Sequence, residues 1–127
     1  MKVRDLPPGN LLSVDPETTV AEVARRMRTD DSDSVAVMSD GRLVGIITER
    51  DLVRAIADGL DPQQARAEVV MTADPATVDA DEEVAMVAVK MMRLGVRHLP
   101  VVNKAGKAVG LVSARNLVGV LDQSTDG

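Results

Sequence analysis

Phenylalanine, tryptophan, tyrosine and cysteine are all absent from these 127 residues, and each absence removes a class of structure or function. Without aromatics the core must be built from Val, Leu, Ile, Ala and Met, which pack on sheets and short helices alike. A bound base has only aliphatic side chains to stack on. Without cysteine there are no disulfides, no thiolate metal sites and no Cys nucleophile. No apolar run is long enough to span a bilayer and no signal-peptide core is visible, so the expected compartment is the cytoplasm. Fifteen basic against twenty acidic side chains leave a net charge of −5. Together with the missing aromatic platform, this argues against a nucleic-acid groove, which needs phosphate neutralisation and stacking. A small anionic ligand can still be held locally. The apolar content of 45% is enough for one domain-sized core without metals.

What is present is a duplication. Val14, Val20, Val23, Ala24 and Met27 recur as Val78, Val84, Val87, Ala88 and Met91 at an offset of 64. One residue is then gained, and Gly45-Ile46-Ile47-Thr48-Glu49-Arg50-Asp51-Leu52 lies over Gly110-Leu111-Val112-Ser113-Ala114-Arg115-Asn116-Leu117 at an offset of 65.

Each copy begins with a short extended stretch around Val14 or Val78, followed by apolar residues at i, i+3, i+4 and i+7, the pattern of a one-faced helix. Thr19 and Glu22 read as a capping box; the second copy has Glu83 and Met86 there, so Asp81 is the expected cap. Val35–Met38 and Leu43–Ile47 form a hairpin about Ser39-Asp40-Gly41, repeated by Leu99–Val102 and Ala108–Val112 about Lys104-Ala105-Gly106. A closing helix follows Thr48, with Leu52, Val53 and Ile56 on one face and Gly59 as its stop. Its counterpart carries Leu117, Val118 and Leu121. Asp61-Pro62 opens a short helix through Glu68. The expected division is a first repeat over 1–60, a linker over 61–72, a second repeat over 73–122 and a disordered tail over 123–127. Met1 and the polar tail read as the two ends of a whole small protein.

The order strand-helix-strand-strand-helix, given twice, with Gly45-Ile46-Ile47-Thr48-Glu49-Arg50-Asp51 and Val96-Arg97-His98-Leu99-Pro100-Val101-Val102, resembles the CBS-domain pair (Bateman module), including small stand-alone bacterial members. The resemblance covers nearly the whole chain. It implies an α+β fold of two β-α-β-β-α repeats packed sheet to sheet with pseudo-twofold symmetry, and two related clefts for AMP, ADP, ATP or S-adenosylmethionine. It further implies a homodimer, and a regulatory output on an unknown protein partner in trans. No cofactor is required and no metal site is expected.

Thr48 and Asp51 sit where a strand ends and a helix begins, which gathers a hydroxyl, a carboxylate and backbone amides. A carboxylate can accept hydrogen bonds from both ribose hydroxyls, while the hydroxyl and the helix start favour a phosphate oxygen. The same Thr-x-x-Asp is also a variant capping box, and the two roles are compatible. Ile47 precedes them, and Arg50 in the first helical turn is a secondary phosphate candidate. The resemblance adds Arg97 and His98 as phosphate contacts, where the first copy has Asp33 and Ser34. In the second copy the grip becomes Ser113-x-x-Asn116 after Val112. An amide keeps one acceptor oxygen but loses the charge and the two-oxygen geometry, so the second cleft is expected to be the weaker. Met86, Met91 and Met92 read as core or dimer packing.

Two other classes compete. An enzyme needs a nucleophile-base pair, a metal cluster or opposed carboxylates, and one His with turn and cap carboxylates supplies none. A ligand-independent dimeric adaptor with vestigial clefts would account for Asn116.

Overall fold

The computed structural model describes residues 1–6 and 11–125. The β-branched runs of the first copy become strands and its three-and-four spaced apolar residues become helices: β1 (Ser13–Val14), α1 (Val20–Thr29), β2 (Ser34–Ser39), β3 (Arg42–Thr48) and α2 (Glu49–Ala57). After α3 (Ala67–Val70) and β4 (Thr72–Ala73), the second copy repeats the order as β5 (Val78–Asp79), α4 (Val84–Leu94), β6 (His98–Val102), β7 (Ala108–Ser113) and α5 (Ala114–Thr125). The expected pair of α+β repeats is therefore present. The tail expected to be disordered from 123 is helical through Thr125, and residues 126 and 127 lie outside the described residues.

One sheet has the order β1-β2-β3-β4 and the other β5-β6-β7. In each, the first strand runs parallel to the second and the second antiparallel to the third. Val35 lies opposite Ile47 and Ser34 opposite Thr48; in the second sheet Leu99 lies opposite Val112 and His98 opposite Ser113. The hairpins share one irregularity, which leaves Val44 and Val109 at equivalent places without an opposite residue. They differ at the turn. Asp40 and Gly41 both take positive φ, 52° and 79°, the two-residue turn whose twist matches the strands. The second turn is a residue longer, and Asn103 Oδ1 organises it by accepting from the amides of Ala105 and Lys107, each at 3.0 Å. The residue gained between the copies sits there.

Two compact units result. One is Leu11–Pro75; the other joins the first residues of the chain to everything from Ala76 onward. The core of the first is Val14, Val23, Met27, Val35, Val37, Ile47 and Ala67. That of the second is Val3, Val78, Val84, Val87, Met91, Leu99, Val101, Val112 and Leu117. Burying each Val, Leu, Ile or Met among these contributes about 1.5–3 kcal/mol.

The expected boundaries at 60 and 73 follow the copies along the chain, whereas the units cross them. The segment leading into each copy packs on the other copy. Val3 N donates to the Glu82 carbonyl at 3.0 Å, Arg4 N to Ala80 at 2.9 Å, and Val84 N to Met1 at 2.9 Å. Sixty-four residues on, Ala67 N donates to Thr18 at 2.7 Å, Glu68 N to Pro16 at 3.1 Å, and Val20 N to Ala65 at 2.9 Å. Two isolated bridges, Lys2 with Glu83 and Thr19 with Arg66, complete the match.

This exchange explains the first two of three departures from expectation. Asp81 does not cap α4: its carboxylate pairs with Arg4, and the N-cap residue Glu83 makes no side-chain cap, because the lead-in supplies the Met1 carbonyl to the first turn. The linker helix expected from Asp61 to Glu68 is a turn at Asp61, after which Arg66 goes extended (φ −98°, ψ 156°) to meet Thr19, and only Ala67–Val70 is helical. The Thr19 box is half formed: Thr19 Oγ1 accepts from Glu22 N at 3.2 Å, while the Glu22 carboxylate turns to Arg25 and Arg26. Gly59, at φ 85°, follows the last turn of α2 as expected. The apolar face drawn for α2 does not hold, since Ala55 and Leu52 face the core and Val53 and Ile56 are exposed.

Candidate ligand-binding site

Strand β3 delivers Thr48 as the N-cap of α2, and the box closes in both directions. Asp51 Oδ2 accepts from Thr48 N at 2.9 Å and from Thr48 Oγ1 at 3.2 Å, and Thr48 Oγ1 accepts from Asp51 N at 3.4 Å. The Glu49 amide is taken by the Asp33 carbonyl at 3.1 Å. The Thr48 hydroxyl and two of the first three helical amides are thus engaged within the protein. What stays available is the other carboxylate oxygen, Oδ1, which accepts from Thr72 Oγ1 only at the long distance of 3.5 Å. Both Thr48 and Asp51 are half-buried, and a hydrogen bond to this carboxylate oxygen is of the charge-assisted kind.

The strand pairing adds a residue that spacing alone did not reveal. Val35 and Ile47 point into the helix-side core, so their neighbours Ser34, Ala36, Ile46 and Thr48 share the opposite face of the sheet. Ser34 is 1% exposed, and its hydroxyl oxygen has no hydrogen-bond partner. A buried hydroxyl left unpaired costs about 1–3 kcal/mol, and this one stands beside Thr48. The same alternation corrects the candidacy of Ile47: its side chain is fully buried in the core, and Ile46 lies on the face of Thr48. In the second unit Val112 is likewise a core residue, and Leu111 takes the other face.

The second copy builds the same box with other atoms. Asn116 Oδ1 accepts from Ser113 Oγ at 2.7 Å and Ser113 N at 3.4 Å, and Ser113 Oγ accepts from Asn116 N at 3.2 Å. The Ser113 amide needs an acceptor, so the side-chain oxygen must face the box and the NH2 group must face outward. This group only donates. Where the first copy presents a charged acceptor, the second presents a neutral donor.

Arg97 and His98 fall in the second unit, and Thr48 in the first. His98 is half-buried opposite Ser113, and the Arg97 carbonyl accepts from Ala114 N at 2.8 Å, the counterpart of Asp33 with Glu49. Arg97 and Arg50 are both exposed, Arg50 in the first turn of α2. The structure therefore groups Ser34, Thr48, Asp51 and Thr72 in one unit, and Arg97, His98, Ser113 and Asn116 in the other. Thr72 comes from β4, which pairs with the edge of β3; its equivalent position in the first copy is Pro8, which has no hydroxyl. Ser34 and Thr72 were missed because both reach the site through strand pairing, although the alternation of β2 around Val35 and Val37 already put Ser34 on the face away from the core. Among the described residues no three of His, Cys, Asp and Glu gather as metal ligands, and no helix is long and apolar enough to cross a membrane.

Comparison with known proteins agrees with the repeat. The CBS domain family model matches twice, over residues 3–58 and 66–123. An uncharacterised 17.7 kDa protein of Acidianus ambivalens is 38% identical over 122 residues, covering 94% of this chain and 73% of the relative. The chain spans a smaller share of other curated relatives, 58% of an uncharacterised protein of Methanopyrus kandleri. Among solved structures, a CBS domain protein of Pyrobaculum aerophilum complexed with AMP is 30% identical with a TM-score of 0.87, covering 98% of this chain and 99% of that one. The CBS domain pair of protein MJ0100, in complex with 5′-methylthioadenosine and S-adenosyl-L-methionine, is 25% identical with a TM-score of 0.89, covering 98% of each chain.

Proposed function

Because the chain belongs to the CBS-domain family, we propose that it is a regulatory module that binds an adenosine ligand and passes the signal on in trans, without catalysis of its own. The observation that carries this reading is the division of labour within Asp51. One oxygen closes the capping box and holds the carboxylate in place; the other is left for a ribose hydroxyl. Preorganisation of this kind removes part of the entropic cost of binding. The unpartnered Ser34 hydroxyl on the same sheet face supports the reading, since it can both donate to and accept from a ligand. AMP in one similar structure, and methylthioadenosine with S-adenosylmethionine in another, support the ligand class.

In this reading Asp51 grips the ribose and Ser34 contributes a neutral hydrogen bond. The Asn116 box is the weaker partner. The module works as a cytoplasmic homodimer whose output reaches a separate protein. AMP, ADP, ATP and S-adenosylmethionine are tested together by thermal and chemical denaturation of the purified chain. A ligand at a hundred times its Kd stabilises the fold by about 2.7 kcal/mol. No stabilisation by any of the four overturns the sensor reading and leaves the dimeric adaptor with vestigial clefts, which the Asn116 replacement favours.

A further inference from the structure

The copies differ sharply on the outward faces of their first helices. On α4, buried Val84, Val87 and Met91 mark the inward side, and the helical repeat puts Ala85, Met86, Val89 and Met92 opposite them. Met86 is 59%, Val89 44% and Met92 83% exposed. Lys90 is drawn back to its own unit, with Nζ on the Thr77 carbonyl at 2.7 Å and 3.9 Å from Glu82. At the same positions α1 carries Ala21, Glu22, Arg25 and Arg28. Glu22 accepts from Arg25 Nε at 3.0 Å and Arg26 Nε at 3.3 Å, and these hydrogen bonds hold its carboxyl below the usual range. Exposed Val53 on α2 and Val118 on α5 occupy equivalent positions, so they do not distinguish the copies.

We propose that the chain dimerises by packing α4 against α4 of a second copy, second repeat to second repeat, with α1 outside that contact. This rests on the homodimer reading above and adds its geometry. A twofold contact sets each patch against itself, so its centre must tolerate its own image. The Met86, Val89 and Met92 row is neutral and does so. With the two helices antiparallel about an axis at Val89, the basic end at Arg93 lies toward the acidic stretch Glu82-Glu83 that precedes the other copy's first turn. A crossed contact of α4 with α1 would instead desolvate Glu22, Arg25 and Arg28 against methionines, and lost hydration of ions exceeds what their pairing returns. Overall charge favours the crossed contact: Leu11–Pro75 holds thirteen acidic and seven basic side chains, the remainder seven and eight. That attraction acts at long range and is screened within about 8 Å at physiological salt, so it steers encounters while desolvation decides the contact.

The absence of cysteine makes the test direct, because Val89→Cys and Arg25→Cys each introduce a single thiol. Treated with a short bis-maleimide, Val89→Cys is expected to give covalent dimers by itself, and a mixture with mass-tagged Arg25→Cys to give no mixed product. Mixed products overturn the geometry and leave the homodimer standing, as does a dimer in which Val89→Cys fails to cross-link. A wild-type mass of one chain at tens of micromolar overturns both readings. Val89→Glu is expected to halve the mass in sedimentation while keeping its far-ultraviolet circular dichroism, and Arg25→Gln to remain dimeric; a dimeric Val89→Glu also contradicts the proposal.

Discussion

The two units share a backbone and differ in nearly everything a ligand or partner would touch. Val23 and Val87, Met27 and Met91, Val35 and Leu99, and Ile47 and Val112 fill equivalent core places. On the sheet face away from the helices, by contrast, Ser34 faces His98 in the superposition of copies, and a charged acceptor at Asp51 faces an outward amide at Asn116. The difference teaches that the repeat fixes geometry while chemistry drifts. A box of four residues keeps its shape whether its third helical residue is Asp or Asn, because the cap needs one oxygen only; the proposed ribose contact needs the second.

The exchange of lead-in segments gives the largest expected effect. Val3 is 6% exposed in the core of the unit that begins at Ala76, so Val3→Asp places an unpaired charge there and should cost about 3–5 kcal/mol, read by urea denaturation of the full chain. A loss below about 1 kcal/mol would show that the first residues do not belong to that unit. The glycines that begin the matched octets give a smaller contrast. A Cβ at Gly45 would collide with the Met71 thioether and lie 3.1 Å from its Cβ, whereas at Gly110 the nearest atoms are those of Val101 at 3.9 Å. Gly45→Ala should therefore cost about 1–2 kcal/mol by overpacking, and Gly110→Ala should stay within about 0.5 kcal/mol of wild type. Equal costs, compared by thermal denaturation, would break the distinction.

Features set by local rules were legible in the sequence. The helices of copy one and copy two, the Asp40-Gly41 turn, the stop at Gly59 and the Thr48-Asp51 box each rest on residues within one or two turns of each other, and the duplication repeats those local patterns at offsets of 64 and 65. What the sequence hid is non-local. Val3 and Arg4 carry no periodicity of their own, and their partners lie far along the chain at Glu82 and Ala80. Ile46 and Ile47 belong to a continuous apolar run, which does not say which of them faces the core; only the pairing with Val35 does. The α2 face was misread because Val53 and Ile56 are apolar without being inward, and the small Ala55 fills the inward place. Ser34 and Thr72 join Asp51 across strands, so their part in the site depended on register.

Whether the first copy supplies the sugar-gripping acid is tested most directly by calorimetric titration of AMP into the wild-type chain, Asp51→Asn and Asn116→Ala. Asn at 51 keeps an oxygen for the cap and removes only the charge and the second acceptor. Loss of a charge-assisted hydrogen bond, about 1.5–3 kcal/mol, predicts a Kd raised some tenfold to a hundredfold by Asp51→Asn and little changed by Asn116→Ala. An unchanged Kd in Asp51→Asn, or an equal loss in both variants, would contradict the account.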